Sequence, residues 1–136
     1  TDSIGPYPFT ISRDRVTEED ASVKIVKTNH PLLNTPNVIT AADFEGWVQE
    51  RGLYFANKWD DRYETILSCN DAGESEKKGG MLLTRLGKGA FIYTGYAWFR
   101  QLPAGVPGAY RFFTNMLHSA QTLNSPANSG AAPTTK

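Results

Sequence analysis

The chain lacks several features that disulfide-rich, membrane-spanning and nucleic-acid-binding proteins need. Only one of its 136 residues is a cysteine, Cys69, which excludes an internal disulfide and a zinc site built on several cysteines. No apolar run approaches the roughly 20 residues that cross a bilayer. The chain has 14 basic and 14 acidic residues and no block of like charges. Because nucleic acids and anionic membranes require a concentrated basic face, we expect neither as a partner.

The composition is nevertheless that of a folded domain. Hydrophobic residues make up 40% of the chain and aromatic residues 12%, which is enough for a core. The first residues carry neither a Met nor a signal peptide, which predicts a processed piece of a longer protein. Residues 124–136 are rich in Ser, Ala, Gly, Pro and Thr. We therefore expect a single α/β domain over residues 1–123 and a flexible tail over 124–136.

The order of patterns predicts a mixed sheet with a β-hairpin and flanking helices. Residues 23–27 alternate apolar and polar side chains, as a half-buried strand does. Thr40 and Asp43 form a weak capping box that predicts a helix over 41–49. Two nearly continuous apolar runs around Gly87-Lys88-Gly89 predict a β-hairpin over 81–95 with a three-residue loop and a strand buried on both faces.

A second helix is predicted over residues 108–117. Pro107 suits its first turn, and four large side chains recur at helical spacing, namely Tyr110, Phe113, Met116 and Leu117. The Gly-Lys-Gly loop has neither of the spacings known for phosphate-binding loops and no helix after it. A hairpin turn is therefore the favoured interpretation of these glycines.

The sequence assigns no catalytic residue, metal or cofactor. The two histidines, His30 and His118, lie far apart and belong to no metal-binding pair. Cys69 follows an apolar strand, which predicts a passive, half-buried thiol. The alternative is a small hydrolase that uses Cys69 as nucleophile and His30 as its base.

Aromatic residues accompanied by arginines are the candidates for ligand binding. The aromatic residues of this set are Trp47, Tyr54, Trp59, Tyr96, Trp98 and Phe99. The six selected as ligand-binding candidates are Trp47, Trp59, Tyr96, Trp98, Arg51 and Arg100. Aromatic faces beside a guanidinium can stack on a sugar ring and bind its hydroxyls, whereas the alternative is core or inter-domain packing.

After Gly95, large amphipathic side chains alternate with Ala97 and Phe99. This alternation places Tyr96, Trp98 and Arg100 on one face if the strand continues. Since arginine is almost never buried without a partner, we expect that face to be an exposed contact surface. Phe99 is expected to point into the core.

Three stretches resemble the C-terminal region of bacterial PIG-L-type N-acetylglucosaminyl deacetylases. They are GPYPFTISRDRVTEEDA (5–21), HPLLNTPNVITAADFEGWVQERGLYFANKWD (30–60) and GKGAFIYTGYAWFRQLPAGVPGAYRFFTNML (87–117). The resemblance covers the chain up to its tail. In that family a zinc-dependent deacetylase domain with an AHPDD-like motif comes first, but here His30 is followed by Pro31-Leu32.

The resemblance implies the last part of an appended domain similar to class I glutamine amidotransferases, which is flavodoxin-like. No nucleophile elbow is visible, and Cys69 does not match one. The implied function is that of a non-catalytic accessory domain in a secreted or periplasmic carbohydrate deacetylase. Its implied partners are the upstream domain of the parent protein and a glycan. The alternative is a stand-alone carbohydrate-binding module that stacks sugars on Trp47, Trp59 or Trp98.

Overall fold

A computed structural model describes residues 4–125, which form short strands and helices around a shared core. The strands are β1 (Phe9–Val16), β2 (Lys24–Ile25), β3 (Gly52–Trp59), β4 (Leu67–Ser68), β5 (Met81–Leu86) and β6 (Gly89–Thr94); the helices are α1 (Trp98–Gln101), α2 (Pro107–Leu117) and α3 (Ser119–Leu123). Two 3₁₀ helices, Pro31–Leu33 and Ala41–Phe44, lie between β2 and β3. The prediction of a mixed α/β chain is confirmed at this level.

Three two-stranded antiparallel sheets make up the β structure of residues 4–125. They pair β1 with β3, β2 with β4, and β5 with β6. Isolated bridges add single pairs to two of the sheets, between Leu83 of β5 and Glu64 and between Gly52 of β3 and Tyr96. The predicted strand over 23–27 is reduced to Lys24–Ile25. In this part of the chain no parallel pair occurs, so the flavodoxin-like sheet implied by the resemblance is not confirmed.

β5 lies between two hydrophobic clusters. Met81 and Leu83 belong to the larger one, while Leu82 packs into a smaller one with Phe9 and Tyr63. All three β5 side chains are at most 1% exposed. This confirms that one strand of the hairpin is buried on both faces, as its continuous apolar run predicts.

One predicted helix is shorter in the structure, and one short helix was not predicted. The helix predicted over 41–49 is only the 3₁₀ helix Ala41–Phe44, because Gly46 has a φ of +71°, a left-handed conformation that ends the turn. The capping-box residues lie as expected at its start, where the Asp43 carboxylate accepts a hydrogen bond from the Thr40 N–H at 2.8 Å. α2 ends at Leu117 as predicted, and the separate short helix α3 follows it.

Most of the predicted tail, residues 126–136, lies outside the described residues. Its first residue is tied to the hairpin, because the Asn124 side-chain amide donates to the carbonyl oxygens of Lys88 at 3.1 Å and Gly89 at 3.3 Å. The described residues therefore include the first two positions of the predicted tail, residues 124 and 125.

The hairpin turn contains two residues, one fewer than predicted, since Leu86 pairs directly with Gly89. Gly87 has a φ of +57° at the first central position, as in a type II′ turn. We expect Gly87→Val to reduce the free energy of unfolding by about 1 kcal/mol or more, because only glycine takes this conformation without strain. Gly89→Val, in ordinary strand conformation, is the matched control. Equal urea-unfolding midpoints for the two variants would refute this turn geometry.

Candidate functional site

Four of the six predicted ligand-binding residues meet in the core rather than on the surface. Trp47, Arg51, Tyr96 and Trp98 are 4%, 5%, 3% and 7% exposed, respectively. The Trp47 and Trp98 rings meet edge to face with their centroids 5.0 Å apart, and Tyr96 lies 6.3 Å from each. These four residues form a packed cluster in the core, as in the alternative of core packing.

Arg51 is the charged member of this cluster. Its Nε donates to the Ala21 carbonyl at 2.8 Å, and its Nη1 donates to the Phe44 carbonyl. The guanidinium carbon lies 5.8 Å from the centroid of the Trp47 ring. Burial lowers the pKa of Arg51 from its usual value. These backbone carbonyls satisfy the buried cation and join segments that are distant in sequence.

The expected exposure of residues 96–100 is reversed in the structure. Phe99 is 63% exposed, whereas Tyr96 and Trp98 are buried, so the prediction of an exposed Tyr96–Trp98 face is wrong. The reason is that the chain turns into α1 instead of continuing as a strand. Trp98 is held inward by a hydrogen bond from its indole Nε1 to Thr94 Oγ1 at 2.9 Å. Helical rotation then carries its neighbour Phe99 outward.

Arg100 and Trp59 lie outside the buried cluster. The half-buried Arg100 donates through Nε to Glu50 Oε1 at 2.5 Å. Trp59 is half-buried at the end of β3, where it borders a small cleft of about 200 Å³ together with Phe9 and Lys58. The six candidates therefore do not form one binding surface.

Cys69 and His30 have separate environments. Cys69 is fully buried, more than expected, and burial raises the pKa of its thiol to about 11. His30 Nδ1 accepts a hydrogen bond from the Leu32 N–H at 3.2 Å, and its Nε2 lies 3.3 Å from Glu64 Oε2. Both ring nitrogens are thus engaged elsewhere, and a thiol that stays protonated is a poor nucleophile. The arrangement gives no support to a Cys69–His30 hydrolase.

Residues 4–125 contain neither a metal-binding cluster nor a membrane-spanning helix. No group of three or more His, Cys, Asp or Glu side chains there is placed to hold a metal ion. Within the same range, none of the helices has the length and apolar character needed to cross a membrane.

The exposed apolar surface that the sequence did not identify is on α2. Its inward stripe is Gly108, Ala109, Phe112 and Asn115, and of the four large side chains that predicted the helix, Met116 is partly buried against the core. Tyr110, Phe113 and Leu117 point outward with exposures of 50%, 37% and 73%. The adjacent pair Phe112-Phe113 was the signal for this, because neighbouring helix positions cannot share one face. We call these three residues the outer face of α2.

Comparison with protein-family models, curated protein sequences and solved structures gives no match to this chain. Its function must therefore be inferred from its own residues.

The buried Trp98 and the exposed Phe99 can be tested directly by substitution. We expect Trp98→Ala to cost about 3–5 kcal/mol of unfolding free energy, because it empties space in the aromatic cluster. Phe99→Ala, its neighbour and matched control, should change the free energy by less than about 0.5 kcal/mol. Chemical denaturation of both variants measures the difference. A larger loss of unfolding free energy for Phe99→Ala than for Trp98→Ala would show that residues 96–100 continue as a strand.

A second test concerns the pH dependence of stability. Hydrogen bonding to His30, followed by that to Lys27, lowers the pKa of Glu64 from 4.5 to about 2. Because the folded-state pKa is depressed, the stabilisation is present above the unfolded pKa and is lost as the pH falls toward 2. We expect Glu64→Gln to be less stable than the parent at neutral pH and the gap to close in acid. Urea unfolding across this pH range measures the gap, and a gap that stays constant would contradict the ion-pair assignment.

Proposed function

We propose that this chain is a non-catalytic accessory domain of a PIG-L-type carbohydrate deacetylase, packed through the outer face of α2 against an upstream domain of the same polypeptide. One observation carries the proposal. α2 buries Phe112 against the core, and on its solvent side it exposes three further large apolar residues beside the polar Arg111 and Thr114. An apolar stripe on the solvent side of an amphipathic helix is typical of a surface that a partner covers.

The three residues of the outer face are neighbours on the helix surface and not isolated exposed side chains. Tyr110, Phe113 and Leu117 follow one another at positions i, i+3 and i+7, which places them along one stripe. The Tyr110 hydroxyl is bonded to the Leu102 carbonyl, so this ring is fixed against the loop after α1. Contiguous apolar area of this kind marks interaction sites on soluble proteins.

β6 supports the same conclusion independently. Its run Ala90-Phe91-Ile92-Tyr93 is continuously apolar, which is typical of a central strand. Its register with β5 is free of bulges. In the described part of the chain its only strand partner is β5, and all six of its residues stay half-exposed. Charges, prolines and bulges that usually protect an edge strand do not occur within it. A further strand from upstream would complete this edge, and the flavodoxin-like sheet that the resemblance implies would require such a strand.

The proposed role is one of packing and support, with zinc-dependent hydrolysis located elsewhere in the parent protein. The engaged nitrogens of His30 and the protonated Cys69 favour a non-catalytic role. The carbohydrate-binding module is less well supported, because stacking on sugars requires exposed tryptophans, whereas Trp47 and Trp98 are buried. A secreted or periplasmic location remains part of the proposal.

The experiment begins with the source polypeptide. Intact-mass analysis of that protein determines whether a deacetylase domain precedes residue 1. In a longer polypeptide we expect amide hydrogens of α2 and β6 to exchange more slowly than in the isolated chain, because both surfaces are covered. Unchanged exchange at both elements, or the lack of any upstream domain, would refute the proposal.

Paired variants separate docking from folding. Phe113→Gln/Leu117→Gln should weaken the protection of α2 in the longer polypeptide while changing the stability of the isolated chain little. Ile4→Gln/Val26→Gln is the matched control, since these side chains are also exposed, at 54% and 42%, and belong to neither α2 nor β6. The isolated chain incubated with zinc and an N-acetylglucosamine substrate should release no acetate above a heat-killed sample.

A further inference from the structure

Two bulges lie back to back in the β1–β3 ladder. Between the pairs Asp14–Phe55 and Val16–Gly52, one residue of β1 faces two of β3, Leu53 and Tyr54. Between Ile11–Ala56 and Asp14–Phe55, β1 has the two extra residues, Ser12 and Arg13. Bulges bend strands and redirect side chains, and they are frequent beside functional sites.

Tyr54 is held in a strained backbone conformation at this point. Its φ is +58°, in the left-handed region that a bulky side chain rarely adopts, and its side chain is 61% exposed. The Tyr93 hydroxyl donates to the Tyr54 carbonyl at 2.5 Å, which fixes the bulge of β3. Ser12 Oγ donates to the Phe55 carbonyl at 2.7 Å and fixes that of β1. The surrounding structure thus maintains a strained residue whose ring it leaves in solvent.

The bulges open a cleft of about 270 Å³ lined by Arg13, Arg15, Leu53 and Tyr54. Both arginines are exposed, and within residues 4–125 neither side chain forms an ion pair or a hydrogen bond. Asp14, which lies between them, lines a different cleft with Asn57 and Lys77. The lining therefore joins two unpaired cations to an aromatic ring and contains no carboxylate.

We propose that this cleft binds a small ligand that carries a carboxylate or phosphate group on a ring. Two guanidinium groups can together hold either anion through charge-assisted hydrogen bonds, and the ring of the ligand would lie against Tyr54 and Leu53. The volume suits a ligand about the size of a monosaccharide, since pockets for larger, drug-sized ligands start at about 300 Å³. The site does not depend on the proposed accessory function, because every residue in it belongs to the isolated chain.

The test uses three probes on the same sugar ring. Glucuronate carries a carboxylate, glucose 6-phosphate carries a phosphate, and glucose is neutral. We expect saturable binding of at least one anionic probe by calorimetry, with amide shifts in NMR spectra at Leu53 and Tyr54. The tighter of the two anions identifies the group that the site prefers. Binding of glucose equal to that of both anions, or binding of none of the three, would overturn the proposal.

Variants then locate the binding. Arg13→Ala/Arg15→Ala should weaken the anionic probe at least about tenfold, because both charge-assisted contacts are removed. Lys58→Ala/Lys88→Ala is the matched control, since it removes the same charge from two other exposed positions and should leave the affinity unchanged. Tyr54→Asn, which tolerates positive φ, should keep the fold and weaken the binding of the ring. Equal losses in the arginine and lysine variants would mean a general charge effect and no site in the cleft.

Discussion

The burial of β5 on both faces is the constraint on which the rest of the fold depends. Met81 and Leu83 face the larger hydrophobic cluster and Leu82 faces the smaller one, so this strand needs cover on two sides. β6 pairs with one edge of β5, and the segment at Glu64 bonds to Leu83 on the other. Short elements gather around this strand because none of the two-stranded sheets would be stable by itself.

Local patterns predicted the elements whose geometry is determined locally. The hairpin follows from two apolar runs around Gly87, and α2 begins at Pro107 as expected, because turns and first helical positions are set by nearest neighbours. The helix predicted over 41–49 was wrong because tertiary contacts override weak propensity. Asp43, its expected capping residue, is also bonded to Arg111 of α2 at 2.8 Å.

The faces of the candidate site were harder to predict because they depend on distant contacts. The rule that arginine stays near water held for Arg100, which reaches Glu50, but failed for Arg51. The acceptors that allow Arg51 to be buried are backbone carbonyls, and no sequence pattern reveals them. Likewise, α1 takes the place of the continued strand that was expected. Its Trp98 indole is held by a hydrogen bond to Thr94, which no sequence pattern reveals. Arg13 and Arg15 are two residues apart in the sequence, but the bulges beside the cleft that they line are visible only in the structure.

The close approach of α2 to the second 3₁₀ helix has a consequence for recognition. A Cβ atom at Gly108 would lie 1.9 Å from the Asp43 carbonyl oxygen, so the two backbones are in direct contact. Asn115 adds bonds from its side-chain amide to the carbonyls of Leu32 at 2.7 Å and Asn37 at 2.8 Å. The position of α2 is therefore already fixed in the isolated chain. Association at its outer side would proceed as rigid docking, without the entropy loss that accompanies folding on binding.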